Sequence, residues 1–142
     1  MTDLRLEREF NVTPDRLFEA VSTKAGLLQW WGPETTCVSD HQLDFSRTGP
    51  WFSTIENAEG QRYKMSGQVT HVDRPNSIGF TWAWHDEADN RGCESHVTFT
   101  ISKTKNGANF VLDHRELESD EQSERHEMGW TSSLRKLAIL FD

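Results

Sequence analysis

Residues 119–141 read SDEQSERHEMGWTSSLRKLAILF, and this segment predicts one long amphipathic helix. Ser119 or Asp120 can accept hydrogen bonds from the free N–H groups of the first turn, as N-cap residues do. Large apolar residues recur at helical spacing along one face: Trp130, Leu134, Leu137 and Phe141. The opposite face is polar, so we expect the helix to bury one side against the rest of the chain.

Two residues on or near the apolar face are unusual for a core-facing helix. Gly129 costs roughly 1 kcal/mol relative to alanine in a helix interior. A glycine there indicates that a neighbour packs closely against the backbone or that a space is left open. His126 lies four residues before Trp130, which places an imidazole on the inner side of the helix.

Almost all of the chain before this helix predicts β-structure. A strand at 3–12 is followed by a helix that starts at Thr13-Pro14-Asp15 and by a second short helix at 25–31. Six further strands follow, bounded by turn residues such as Asn106-Gly107, and their expected ranges are 35–45, 51–57, 61–73, 77–84, 95–103 and 108–117. This order predicts an α+β fold in which a curved antiparallel β-sheet wraps around the long C-terminal α-helix.

Composition and charge limit the classes of partner. The chain has 142 residues, which fits a single domain over 1–142, and its formal net charge is −8. This charge argues against nucleic acid and against anionic membranes, since both need a basic surface. Six Trp and eight Phe indicate either a compact aromatic core or the lining of a ligand cavity.

We expect neither a metal nor another cofactor. Cys37 and Cys93 lie far apart and form no zinc-type spacing. The acidic loop around 85–92 has neither an HExxH pattern nor the regular oxygen pattern of a calcium loop, so a solvated loop is the better interpretation. The N-terminus has no signal-peptide pattern and no apolar run is long enough to span a membrane, so we expect a cytoplasmic protein.

An ordered set of motifs resembles a known family. Its elements are Gly-Leu-Leu-Gln-Trp-Trp-Gly-Pro at 26–33, Ile-Gly-Phe-Thr-Trp at 78–82, Ser-His-Val-Thr-Phe at 95–99, Phe110-x-Leu112-x-His114, and Gly129-Trp130 followed by Leu134 and Leu137. From about Leu4 to Leu140 the chain resembles the single-domain bacterial type of the activator of heat shock protein 90 ATPase homologue family, in the START-related helix-grip (SRPBCC) superfamily. The family usually has a Gly-Gly pair where this chain has Thr48-Gly49-Pro50, so that turn is expected to differ.

The resemblance implies a START-like domain with a hydrophobic cavity between the sheet and the C-terminal helix, and a link to the stress response. Strand alternation and helix spacing then predict which residues face this cavity. The candidate ligand-binding residues are Trp30, Trp31, Phe80, Trp82, Trp84, Phe99, Leu112, His114, His126 and Trp130. For the tryptophans, core packing is the alternative interpretation.

The polar residues on these faces have two interpretations. His114 and Glu116 continue the apolar row of their strand, so they could anchor a ligand or act as a general acid or base. Alternatively, His114 is a hydrogen-bonded histidine at the rim and Glu116 a solvated strand end. His126 could approach His114 to form a polar pair at one cavity mouth. No nucleophile motif is present, so we assign no catalytic residue.

Three functions remain in competition. The first is a binding module for a small hydrophobic or amphipathic molecule. The second is a cyclase- or hydrolase-like enzyme that uses the same cavity, and it requires a titratable group of perturbed pKa there. The third is a protein-interaction domain with a chaperone as partner. The sequence is compatible with a monomer or a homodimer, and we rank the binding module first.

Overall fold

The computed structural model describes residues 2–141 and has seven strands and three helices in that part of the chain. Their order and bounds are β1 (Thr2–Phe10), α1 (Pro14–Ser22), α2 (Lys24–Leu27), β2 (Thr36–Gln42), β3 (Gly49–Asn57), β4 (Arg62–Asp73), β5 (Ser77–Trp84), β6 (Ser95–Lys103), β7 (Ala108–Leu117) and α3 (Asp120–Ile139). The α+β fold class predicted from the sequence is confirmed.

All seven strands form one antiparallel sheet in the order β1-β7-β6-β5-β4-β3-β2. Strands β2 to β7 are adjacent in the order of the chain, and β1 lies at the edge of the sheet beside β7. The register shifts in three of the strand pairs, β1/β7, β2/β3 and β4/β5. Irregularities of this kind bend and twist strands, which lets the sheet curve around α3.

The long helix α3 begins as the sequence predicts. The Ser119 side chain accepts a hydrogen bond from the backbone N–H of Gln122 at 3.2 Å, and this closes the first turn. Its inner face buries the apolar residues expected from helical spacing together with small and polar ones: His126, Trp130, Ser132, Ser133, Leu134, Leu137 and Ala138. The helix packs against β1 and β7.

The structure differs from the prediction at β2 and α2. Strand β2 ends at Gln42, because Leu43 and Phe45 leave the sheet and are buried in the core. The Phe45 backbone N–H donates to the carbonyl of Ser22 at 2.7 Å. Helix α2 ends at Leu27, and the chain then continues in a turn through residues 28–31.

A continuous aromatic core lies between the sheet and the helices. Phe45 lies 4.4 Å from Phe80 between ring centroids, and Phe99 lies 5.1 Å from Phe110. Such aromatic pairs stabilise the fold by more than their buried area alone would.

Within residues 2–141, no helix is both long enough and apolar enough to cross a membrane.

Candidate functional site

A cavity of about 550 Å³ opens between the β3–β5 part of the sheet, the segment after α2 and the first half of α3. Its lining residues are Trp31, Gly32, Pro33, Thr35, Thr36, Ile55, Asn57, Tyr63, Met65, Trp82, Trp84, His85, Gln122, Arg125, His126, Gly129, Trp130 and Ser133. A volume of this size is typical of sites for small organic molecules.

Four tryptophans form the aromatic wall of the cavity: Trp31, Trp82, Trp84 and Trp130. Trp31 lies 5.7 Å from Trp82 and 5.7 Å from Trp130 between ring centroids. The Trp31 indole N–H donates to Ser53 Oγ at 2.9 Å, which fixes the orientation of the ring. The wall is therefore held in place from behind by hydrogen bonds as well as by packing.

Glycine 129 keeps the helix side of the cavity open. An ideal Cβ at Gly129 would have Pro33 Cγ, at 3.8 Å, as its nearest neighbour. Of the two explanations that the sequence left open for this glycine, the structure therefore supports the unfilled space. A longer side chain at this position would project into the cavity.

Next to the aromatic wall, the rings of His114 and His126 lie 4.4 Å apart between centroids. His114 Nδ1 accepts the indole N–H of Trp130 at 3.1 Å, so its proton is on Nε2, which contacts Ser95 Oγ at 2.7 Å. The Ser95 hydroxyl in turn donates to the carbonyl of Trp82 at 3.3 Å. The prediction that His114 and His126 approach each other is confirmed, but His114 is fully buried and fully hydrogen-bonded.

His126 has a different hydrogen-bonding pattern. Its Nε2 accepts the indole N–H of Trp84 at 3.2 Å, so the neutral ring carries its proton on Nδ1. Within residues 2–141, Nδ1 forms no hydrogen bond, although the side chain is only 7% exposed. His126 thus lines the cavity and has one N–H without a partner in this part of the chain.

Burial keeps both histidines neutral. Burial, with smaller contributions from His126 and His96, lowers the pKa of His114 to about 2. Burial also lowers the pKa of His126 to about 4. Both rings are therefore uncharged near neutral pH.

Trp82 provides a second free donor. The other five tryptophans donate their indole N–H to an acceptor, whereas the buried Trp82 Nε1 has no partner among the described residues. An unpaired buried donor costs about 1–3 kcal/mol, and the side chain that carries this one lines the cavity.

Negative charge is kept out of the cavity lining. The lining has no Asp or Glu, although the chain has 23 acidic residues against 15 Lys and Arg. The carboxylates next to the cavity are paired: Glu34 with Arg135 at 2.8 Å, Glu121 with Arg125 at 2.7 Å. Hydrogen bonds from Arg135 and Ser132 accordingly hold the pKa of Glu34 below its usual value.

A smaller cavity of about 140 Å³ lies next to the large one, and the two share Trp82, Trp84, Gln122 and His126 as lining residues. Glu116 and Glu118 line this smaller cavity. Glu116 does not continue the inward row of β7, contrary to the expectation from strand alternation, because its φ is +64° and the next residue turns inward instead. Its carboxylate pairs with exposed His96 at 2.7 Å.

The structure separates the predicted site residues into two groups. Those that line the large cavity are Trp31, Trp82, Trp84, His126 and Trp130, and those that lie in the core behind it are Trp30, Phe80, Phe99, Leu112 and His114. Phe80 is covered by Phe45, which the loop after β2 brings in. Trp30 turns below α1, where its indole N–H donates to the carbonyl of Ala20 at 2.9 Å.

Sequence reasoning missed the contribution of β3, β4 and the start of α3. Ile55, Tyr63 and Met65 line the cavity from the two strands, and Gln122 and Arg125 line it from the helix. The period-two burial of β3 could have identified Ile55. Gln122 and Arg125 are polar, so the apolar pattern of the helix gave no signal for them. Among the described residues, no group of three or more His, Cys, Asp or Glu side chains could hold a metal ion.

Comparison with known proteins agrees with this fold. The family model for Activator of Hsp90 ATPase homolog 1-like protein matches residues 11–142. The crystal structure of an AHSA1 protein from Silicibacter pomeroyi is 64% identical with a TM-score of 0.94, covering 97% of this chain and 96% of that one. A protein from Chromobacterium violaceum is 22% identical with a TM-score of 0.88, covering 99% and 98% of the two chains, and this likeness concerns the fold alone. No curated protein sequence matches the chain significantly.

Proposed function

Because the chain belongs to the family of Activator of Hsp90 ATPase homolog 1-like proteins, we propose that it is a binding module for a small apolar or amphipathic molecule. The ligand occupies the cavity between the sheet and α3. Its flat apolar part packs against the tryptophan wall, and polar groups at the wall orient it. Family membership by itself supports either a ligand-binding or an activator-like domain, so the choice depends on the site.

One observation carries the proposal: the cavity is kept open at Gly129 despite the cost of a glycine in a helix. A protein that needed only a stable core would gain by filling this space, since larger buried apolar area stabilises the fold. The cavity is instead walled by four tryptophans, and hydrogen bonds fix the orientations of three of them.

The binding function is favoured over an enzyme that uses His114 or His126 as its acid or base. General acid–base catalysis works best when the pKa of the catalytic group lies near the working pH. The pKa of His126 is about 4, and His114 has no contact with the cavity. An activator-like contact with a chaperone remains a prediction of the family resemblance.

The test is to fill the cavity from its helix side. Gly129→Leu places an isobutyl group in the open space, and it also raises the helix propensity by about 1 kcal/mol, so the variant is expected to fold. The probe is N-phenyl-1-naphthylamine, a neutral fluorophore whose emission rises in apolar surroundings. We expect saturable binding to the wild type and at least about tenfold weaker binding to Gly129→Leu, because the probe and the new side chain compete for one volume.

The matched control is Met128→Leu, which introduces the same side chain one residue earlier, at a position that is 74% exposed. This variant should bind the probe as the wild type does. Equal affinity of Gly129→Leu and wild type would place the binding elsewhere and overturn the proposal.

A further inference from the structure

We propose that the ligand of the large cavity is a carboxylate attached to a flat apolar body, and that its anionic end accepts the Nδ1–H of His126. This inference rests on the proposed function and names the chemical class of the ligand. It is based on the distribution of donors and charges around the cavity.

Two residues that line the large cavity carry an N–H without a partner among residues 2–141, and no carboxylate lines that cavity. The bond from Trp84 to His126 Nε2 leaves the proton of the neutral ring on Nδ1. The indole N–H of Trp82 is likewise unpaired among residues 2–141, and its ring lines the cavity. Buried donors of this kind cost free energy until an acceptor arrives, so they favour a ligand that supplies acceptor atoms.

Charge favours an anion over a neutral acceptor. Arg125 lines the cavity at the start of α3, one residue before His126, and no carboxylate lines the same space. The acids nearest to the opening are already paired: Glu121 with Arg125, and Asp89 with Lys64 and His85. An anionic ligand in the large cavity therefore meets the Arg125 guanidinium, which it shares with Glu121, and the N–H of His126, and no carboxylate lines the same space.

The aromatic wall allows one competing ligand class. Tryptophan faces also attract cations such as quaternary ammonium groups. A cation, however, would lie beside Arg125 and the free N–H of His126, and both oppose it. The acidic residues that could attract a cation line the smaller cavity, where Glu116 is paired with His96.

The experiment compares three probes with one apolar body by isothermal titration calorimetry: 2-naphthylacetate, 2-naphthylacetamide and 2-(2-naphthyl)ethylamine. They present an anion, a neutral acceptor and a cation to the same site. We expect the acetate to bind at least about tenfold more tightly than the amine, with the amide between them, because charge-assisted hydrogen bonds are the stronger ones.

Two pairs of variants test whether His126 and Arg125 cause the preference for the acetate. His126→Phe should weaken acetate binding by about tenfold, and His126→Gln should restore part of it, because glutamine can accept from Trp84 and donate to the ligand. Arg125→Gln should weaken the acetate but not the amide. Its control is Arg47→Gln, which removes the same charge from an arginine that also pairs with a carboxylate but lies outside the cavity. Thermal unfolding of each variant verifies that it is folded.

The outcomes separate this inference from the proposed function. Equal binding of the three probes, or tightest binding of the amine, would overturn the carboxylate assignment while the binding module stands, provided that Gly129→Leu still blocks the probes. An acetate preference that survives both His126→Phe and Arg125→Gln would also overturn it. A lack of binding by all three probes would overturn both proposals.

Discussion

His114 shows how a histidine can be buried at little cost. It is fully buried, and each ring nitrogen has a partner: Trp130 donates to one and Ser95 accepts from the other. A buried polar group that is satisfied in this way stabilises a specific arrangement of its neighbours. His114 therefore orients Trp130, which lines the cavity, and has a structural role behind the site.

Replacing His114 by phenylalanine tests this role. The ring volume is nearly conserved, but the Trp130 N–H loses its acceptor and Ser95 Oγ loses its partner. We expect His114→Phe to lower the free energy of unfolding by about 2–3 kcal/mol, measured by urea denaturation. The control is His96→Phe on the exposed side of β6, which should change stability by less than about 1 kcal/mol. If His114→Phe has the same free energy of unfolding as the wild type, the hydrogen bonds of His114 make no net contribution to stability.

At the scale of elements, α3 has a stabilised first turn and, near its middle, a glycine that leaves space for the cavity. Ser119 caps its start, Asp120 and Glu121 place negative charge at the positive end of its dipole, and Gly129 leaves the cavity open half-way along. Because a glycine in the interior weakens a helix, the cap matters more here than in a helix with uniformly good formers.

The contribution of the cap can be measured directly. Ser119→Ala removes the acceptor of the Gln122 N–H, and we expect the free energy of unfolding to fall by about 1 kcal/mol. Ser123→Ala is the matched control inside the same helix, where alanine is the better helix former and stability should not fall. Equal losses in both variants would mean that the cap is not the cause.

At the scale of the whole molecule, the burial of two neutral histidines ties folding to pH. In the unfolded chain both titrate with a pKa near 6.5, whereas in the folded protein the pKa of His126 is about 4 and that of His114 is about 2. Protons thus bind preferentially to the unfolded state. The stability from the neutral histidines is fully present above pH 6.5 and is lost as the pH falls, down to about pH 4 for His126 and about pH 2 for His114.

We therefore expect the free energy of unfolding to decrease between about pH 6.5 and pH 5, with each histidine contributing about 1.4 kcal/mol per pH unit at most. Urea denaturation across this range measures the slope before most carboxylates titrate. His126→Gln should remove about half of the histidine contribution, and His71→Gln, at an exposed position of β4, should leave the slope unchanged. A slope that is unaffected by His126→Gln would contradict the pKa assignment.

The pattern of local residues was sufficient to predict most elements. Strands β5, β6 and β7 have the bounds expected from alternation, and α3 begins at the Ser119 cap. Prediction from local pattern failed where tertiary contacts determine the path of the chain. The residues after β2 alternate as a strand does, but Phe45 leaves the sheet to cover Phe80, because burying that ring gains more than continuing the ladder.

The sequence by itself determined the α+β architecture, because period-two and period-3.6 burial are properties of each segment and need no knowledge of its neighbours. It also determined that His126 and Trp130 share the inner side of α3. Only the tertiary structure decided which aromatic residues line the cavity and which fill the core. The difference depends on which part of the molecule packs against each aromatic side chain. Trp31 and Trp82 line the space left open at Gly129, whereas Phe99 and Leu112 are fully buried in the core.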